Sequence, residues 1–168
     1  MTAHRQKAND SDVDKIVELG VFQNKQPRSR KTKIDQALDA GIAKIKMTWW
    51  KIETKRLTGP YGKQQLLQDV YQVYCDWDDQ DIVPEILERL KKGFDVRPNL
   101  EIDVLNLLIQ AALPEVAPGV VGTWVAAIRY GQHCHVRRAK MRGFLFIRGG
   151  LARCARLYRE LRGELRDW

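Results

Sequence analysis

Three adjacent residues, His133, Cys134 and His135, carry side chains of the types that bind zinc. A zinc site needs ligands that converge tetrahedrally, and structural sites separate paired ligands by two or more residues. Neighbouring residues on a helix point about 100° apart, so these three side chains do not converge on one ion. The other cysteines, Cys75 and Cys154, are isolated in the sequence. We therefore expect no metal and no other cofactor.

Motifs for covalent catalysis and for nucleotide binding are also missing. No GxSxG elbow occurs, and one Cys–His neighbour pair does not supply a nucleophile, a base and an orienting group. The pair Gly149-Gly150 belongs to no GxGxxG or GxxxxGK[ST] loop. We therefore expect that the protein is not an enzyme and has no small-molecule substrate.

Four aspartates cluster in a short stretch of the sequence: Asp76, Asp78, Asp79 and Asp81. Carboxylates in this density suggest ligation of a hard cation, but the stretch lacks the glycine and the final glutamate of a calcium loop. Acidic side chains also stabilise the positive end of a helix dipole. We expect these residues to favour the start of the helix that follows them.

Basic residues dominate the two ends of the chain. The 168 residues carry a net charge of +8, of which residues 1–33 contribute +4, residues 34–130 contribute −3 and residues 131–168 contribute +7. The last segment has nine Arg and a single Lys, Lys140. Arg binds phosphate oxygens through a planar fork, which Lys lacks. This charge asymmetry indicates a polyanionic partner.

We expect nucleic acid to be contacted by basic side chains from both end regions, through neutralisation of phosphates. The primary contacts are Arg137, Arg138, Lys140, Arg142, Arg148, Arg156, Arg159, Arg162 and Arg166, and the secondary contacts are Arg28, Arg30, Lys31 and Lys33. On a helical projection, the last four of the primary set form a stripe that is separate from Glu160, Glu164 and Asp167.

Aromatic residues add a second indication of nucleic acid. Phe144 and Phe146 are flanked by Arg142 and Arg148, a pattern that suits stacking on unpaired bases. A basic-rimmed protein interface would have the same composition. Trp50 lies about 100° away from the apolar stripe of its helix and is a further stacking candidate.

Helical periodicity places these side chains, and no strand alternation is evident. After a short helix that Asp12 would cap, the apolar spacing predicts helices over about 32–57, 62–77, 82–93, 100–112, 119–130 and 151–168. Asn99 is the expected cap of the fourth of these, and Gly131 is expected to break the chain after the fifth. The last helix carries a heptad-like apolar seam, formed by Leu151, Cys154, Tyr158, Leu161, Leu165 and Trp168.

These elements predict an all-α helical bundle of about five to seven helices, with a basic N-terminal arm and an Arg-rich C-terminal helix. We expect residues 1–33 to form the arm with its short helix, and residues 34–168 to form a single helical domain whose part 131–168 is basic. Residues 104–113 and 119–130 have the lengths of a helix-turn-helix motif, but the second segment is apolar and offers only Thr123 and Arg129 to bases. Sequence-specific binding in a duplex groove is therefore not expected.

The sequence predicts a non-sequence-specific nucleic-acid-binding protein, either of DNA or of RNA, that contacts the backbone or a single strand. Its size and terminal seam suggest a small subunit of a larger nucleoprotein complex, such as an RNA-guided effector or phage or plasmid DNA machinery, with other protein subunits as partners. The alternative is an adaptor or inhibitor module whose Arg-rich C-terminus docks on an acidic protein. No apolar run reaches the length of a membrane span and no targeting peptide is evident, so we expect a cytoplasmic protein without a membrane partner.

Overall fold

A computed structural model describes residues 32–97 and 101–163, and within these ranges every regular element is a helix. The predicted all-α bundle is therefore confirmed. The described residues form seven α-helices and one 3-10 turn at Arg138–Lys140: α1 (Lys33–Glu53), α2 (Gly59–Asp78), α3 (Val83–Gly93), α4 (Val104–Ala112), α5 (Pro118–His133), α6 (Met141–Ile147) and α7 (Leu151–Arg162).

Several sequence predictions fall outside the described residues. They are the basic arm with Arg28, Arg30 and Lys31, the short helix after Asp12, the cap at Asn99, and Arg166 with the last residues of the apolar seam. None of the helices in the part that is described has the length and apolarity needed to cross a bilayer.

Helix α1 begins at a capping box. The Thr32 side chain accepts from the backbone N–H of Asp35, and the Asp35 carboxylate accepts from the backbone N–H of Thr32. The apolar stripe that the sequence predicts along this helix packs as expected, because Ile45 is completely buried and the rest of the stripe lies against the core. The stripe fixes which face of α1 meets α2 and α4.

The core is built around α2, α4 and α5. Helix α4 is apolar nearly all round and is buried on most sides, as the sequence predicts for a central helix. Its Leu105, Leu108 and Ile109 are completely enclosed, together with Leu67 of α2. Each such side chain contributes about 1.5–3 kcal/mol through its removal from water. Helices α6 and α7 pack on the outside of this core, against α2 and α5 respectively.

The prediction that Gly131 breaks the chain is wrong. Helix α5 continues through Gly131 to His133. A Cβ atom at this position would overlap the terminal atoms of the Met141 side chain, at the start of α6. A close packing contact, and not a turn, therefore accounts for the interruption of the apolar periodicity at this residue.

The aspartate cluster does not cap the next helix through a side-chain hydrogen bond, contrary to the expected capping role. Asp76 and Asp78 belong to the last turn of α2, and α3 begins only at Val83, after the cap residue Ile82, with no side-chain hydrogen bond at the cap. Asp76 and Asp79 instead accept hydrogen bonds from Arg138, a residue distant in sequence. Pro84 lies in the first turn of α3, where its missing N–H has no partner within the helix.

The terminal helix packs against α5, but its apolar seam is only partly buried. Cys154 and Ala155 are buried, whereas 55% of Leu161 is exposed. The predicted separation of arginines from carboxylates is wrong as well, since Nε of Arg156 lies 3.3 Å from Oε1 of Glu160. Residues four apart on a helix are neighbours, and this pairing follows from that spacing.

Candidate nucleic-acid interface

Residues 136–148 carry five of the predicted contact residues, and side chains of α2 hold this segment in place. The hydroxyl of Tyr71 donates to the backbone carbonyl of Val136 over 3.0 Å. The backbone N–H of Arg142 donates to the side-chain oxygen of Gln68 over 3.2 Å. The 3-10 turn and α6 therefore present their basic side chains from a fixed backbone.

Arg142 is positioned by uncharged partners. Its Nη1 donates to the hydroxyl of Tyr61 over 2.6 Å and to Oε1 of Gln65 over 2.8 Å, and its guanidinium carbon lies 4.7 Å from the centroid of the Tyr61 ring. Neither of these partners is a carboxylate, so neither compensates the positive charge of the guanidinium. Arg142 is therefore ordered and still able to bind an anion.

A chain of hydrogen bonds connects this arginine to the interior. The Gln65 amide donates over 3.1 Å to Oδ1 of Asp69, and the hydroxyl of the buried Thr48 donates over 2.6 Å to Oδ2 of the same carboxylate. Since Gln65 donates through its nitrogen, its oxygen is directed to Arg142. The rotamer of Gln65, and through it the position of Arg142, is thus set by α1 and α2.

Arg138 is in a different state from Arg142. It forms ion pairs with both Asp76 and Asp79 at the end of α2. Hydrogen bonding to Asp79 raises the pKa of the Arg138 guanidinium, with a smaller contribution from Asp76. The two carboxylates compensate the positive charge, so this arginine anchors the 3-10 turn to α2 and offers little to a phosphate.

Arg137, Lys140 and Arg148 are exposed and make no ion pair with any residue that the structure describes. The guanidinium carbon of Arg148 lies 5.6 Å from the ring centroid of Phe144, which packs in turn on Tyr130 with 5.7 Å between ring centroids. The sequence has no Asp or Glu between Glu115 and Glu160, so no carboxylate near in sequence can neutralise these charges. We call Arg137, Lys140, Arg142 and Arg148 the α6 surface.

Arg156, Arg159 and Arg162, three of the arginines that the sequence places in a stripe, lie in the described part of α7. Arg156 pairs with Glu160, and Nη2 of the half-buried Arg159 lies 3.5 Å from the hydroxyl of Thr123 on α5. Arg162 lines a cleft that also contains Asp103 and Arg129. The surroundings of these three arginines therefore differ.

Lys33 lies at the opposite end of α1 from the α6 surface. It is the first residue of α1. The last turn of α1 is followed by the turn into α2, and Tyr61 lies in the first turn of α2. A helix of 21 residues is about 30 Å long. Lys33 thus does not contribute to the same patch as Arg142.

Two aromatic side chains accompany the α6 surface, and the sequence singled out only one of them. Phe146 is 73% exposed and shares a side of α6 with Arg142, since the two are four residues apart. Tyr61 is 50% exposed and was not identified, because nothing in the local sequence links it to an arginine 81 positions later. Trp50 is exposed as predicted and has Arg56 over its ring at 4.5 Å.

Arg129, one of the two residues of α5 that the sequence could offer to bases, has a structural role. Its Nε and Nη2 donate to the two oxygens of Asp103 over 2.7 and 2.6 Å, and it also lies over the Tyr74 ring. Burial of the guanidinium lowers its pKa, but the hydrogen bonds and charge of Asp103 outweigh this effect and leave the pKa above its ordinary value. Together with the burial of Trp124 and Ile128, this confirms that α5 is a core helix.

Comparison with models of protein families, with curated proteins and with solved structures finds no match for this chain. The chemistry of the described side chains is therefore the basis on which a function is proposed.

Proposed function

We propose that this protein binds nucleic acid through its phosphate backbone, without specific contacts to bases in a duplex groove. The observation that carries the proposal is the state of Arg142: its guanidinium is held in place by Tyr61 and Gln65, and it forms no ion pair with a carboxylate of the described residues. Such a group loses little further rotamer freedom when it binds an anion, and its planar fork suits phosphate oxygens. Arg137, Lys140 and Arg148 supply further exposed charges on the same segment.

Arg and Lys bind phosphates largely by releasing condensed counterions, which makes the affinity strongly salt-dependent. The α6 surface provides four charges for this purpose, and Arg138 is excluded because Asp76 and Asp79 already compensate it. Of the two helices that resemble a helix-turn-helix in length, the second is buried in the core. Contacts to the backbone and to unpaired bases therefore fit this protein better than insertion of a recognition helix.

We further propose that the chain acts as a small subunit of a larger nucleoprotein assembly. Phe146 and Ile147, at the end of α6, are 73% and 81% exposed, and 55% of Leu161 on α7 is also exposed. Apolar side chains that remain this open beside a basic surface are available to a second protein.

The same observation supports the second candidate function, an adaptor or inhibitor that docks on an acidic protein. An apolar centre with an arginine rim is the usual composition of a protein interface. In that case the α6 surface would face carboxylates of the partner and would have no measurable affinity for oligonucleotides.

The test is binding of the full chain to fluorescent single-stranded and duplex oligonucleotides, measured by anisotropy over a series of salt concentrations. Phosphate binding predicts a log–log dependence of the affinity on salt with a slope of about −0.7 per contacted phosphate on a single strand. Absence of binding at low salt to either oligonucleotide would overturn the proposal and leave the adaptor function.

A further inference from the structure

A groove lies between two turns of the chain, the one that joins α1 to α2 and the one that joins α6 to α7. Its volume is about 710 Å³, which is within the range of small-ligand sites. Its walls are mostly apolar and include Ile52, Leu57, Pro60 and Leu151. Gly59 and Gly150 also line it, and their missing side chains leave the space between the turns open. An apolar ring fits a space of this composition.

Gln64 is the polar group that the groove encloses most deeply. It is only 5% exposed, and none of the groups that the structure describes hydrogen-bonds to its amide. Trp49 Nε1 is the one sealed side-chain N or O atom of the described residues that lacks a partner, so the Gln64 amide is not fully sealed, and Gln64 is one of the residues that line the groove. A ligand that both donates and accepts would pair with this amide.

The rim of the groove is positively charged. Lys55 and Lys63 are both exposed and both line it. The cap residue Thr58 and the first residues of α2, Gly59 and Pro60, form part of the wall, and the Thr58 side chain makes no capping hydrogen bond at the positive end of this helix. The groove therefore combines an apolar interior, one hydrogen-bonding amide and a rim that suits phosphate.

The turn before α7 connects the groove with the α6 surface. Gly150 lines the groove, and Arg148 of the α6 surface lies two residues before it in the sequence. A strand whose backbone meets Arg148 is therefore close to the mouth of the groove.

We infer that the groove receives an unpaired nucleobase of the bound strand, with the base between the apolar walls and its hydrogen-bonding edge at the Gln64 amide. Lys55 and Lys63 then contact the phosphates on either side of that nucleotide. A glutamine amide offers a donor and an acceptor side by side, which matches the edges of bases. A paired base cannot enter, so single strands bind more tightly than duplexes.

This inference rests on the proposed function, and the experiment separates the two. Affinities are measured for a single strand, for the same strand without bases, and for a duplex. We expect the complete single strand to bind at least about fivefold more tightly than the strand without bases, as is usual for a base that stacks on a protein. Equal affinities for all three would overturn the base site and keep phosphate binding, whereas no binding of any would overturn both.

The variant Thr58→Trp places an indole in the mouth of the groove. Thr58 is exposed and its side chain makes no capping hydrogen bond, so the substitution removes no interaction from α2. We expect it to lower the affinity for the complete single strand to that for the strand without bases, and to leave duplex binding unchanged. Val120→Trp, at an exposed position on α5, is the matched control and should bind as the unaltered protein does. An affinity of Thr58→Trp for the complete strand equal to that of the control would overturn the inference.

A second variant, Gln64→Leu, keeps the approximate volume and removes the amide. We expect it to fold and to bind homopolymers of the four bases with equal affinity, whereas the unaltered protein prefers one of them. Circular dichroism verifies the helical content of each variant. Preservation of the base preference in Gln64→Leu would show that the amide does not contact the base, and would overturn this part of the inference.

Discussion

The guanidinium of Arg142 and the ring of Tyr61 form a clamp in which the arginine stacks on the tyrosine at 4.7 Å and donates to its hydroxyl over 2.6 Å. Helix α6 and the start of α2 are therefore joined at a point that is also open to solvent. The clamp orders a positive charge without cancelling it.

Arg142→Lys should weaken binding of a single-stranded oligonucleotide by about three- to tenfold, because the positive charge remains and the planar fork is lost. The salt dependence of the affinity should keep the slope of the unaltered protein, since one phosphate is still neutralised. Anisotropy titrations measure both quantities. Lys92→Arg, an exposed position on α3, serves as the control with no expected change. Equal affinity of Arg142→Lys and the control would show that the fork is not used.

The adjacent residues Arg137 and Arg138 should behave differently. Arg137→Ala removes an exposed charge and should reduce the magnitude of the salt slope by about 0.7 on a single strand. Arg138→Ala should leave that slope unchanged, because Asp76 and Asp79 already neutralise this arginine. It should instead lower the midpoint of urea unfolding, since it leaves two carboxylates close together without their counterion. A reduced slope in Arg138→Ala would contradict this assignment.

Thr48→Val should destabilise the protein by about 1–2 kcal/mol, because the buried hydroxyl that donates to Asp69 is lost while the carboxylate stays. Urea unfolding gives this free energy. The affinity for oligonucleotides should also fall, since Asp69 then holds Gln65 less firmly and Arg142 is less well positioned. If stability falls while affinity remains as in the unaltered protein, the hydrogen-bond chain does not position Arg142.

Stability at high pH should depend on Tyr71. Desolvation is the main cause that raises its pKa from 10.0 to about 12. In the unfolded chain the phenol loses its proton near pH 10, whereas the folded protein retains it up to about pH 12, so the free energy of unfolding falls between these values. The loss is up to about 2 kcal/mol. Tyr71→Phe should remove this part of the pH dependence in urea unfolding; an unchanged pH profile would contradict it.

Gly131→Ala should destabilise the fold by about 1–3 kcal/mol, because the added methyl group overlaps the side chain of Met141. Gly143→Ala is the matched control, as a Cβ atom there meets nothing within 4 Å and the residue lies inside α6. A helix-interior alanine replaces glycine with a gain of up to about 1 kcal/mol. Thermal unfolding should therefore move in opposite directions for the two variants.

Apolar periodicity predicts six of the seven α-helices that the structure describes, and it misses α6, which is too short to show a period. The stripe of α1 and the apolar surroundings of α4 identify their buried faces, because the burial of apolar surface drives folding most strongly and depends on spacing within one helix. The same method fails at Gly131, where the reason for the glycine is the side chain of Met141 from the following helix. A close approach between two helices leaves no pattern in the local sequence of either one.

The candidate site is less predictable than the fold for the same reason. Composition identifies Arg138 and Arg142 equally, and only the fold shows that one faces two carboxylates while the other faces a tyrosine and a glutamine. Tyr61 and Gln64 follow a turn and have no distinguishing neighbours in sequence. Tyr61 contacts Arg142, and Gln64 lines the groove, because α6 and the turn before α7 lie beside α2.

The most direct test of the central claim compares the unaltered protein with a variant in which Arg137, Lys140, Arg142 and Arg148 are all Ala. For a single-stranded oligonucleotide, these four charges should contribute about −3 to the log–log salt slope of the unaltered protein, as expected for four phosphates. The variant should retain the helical content of the unaltered protein, bind more weakly, and have a slope that is less negative by about this amount. A slope in the variant equal to that of the unaltered protein would contradict the assignment of the phosphate contacts to the α6 surface.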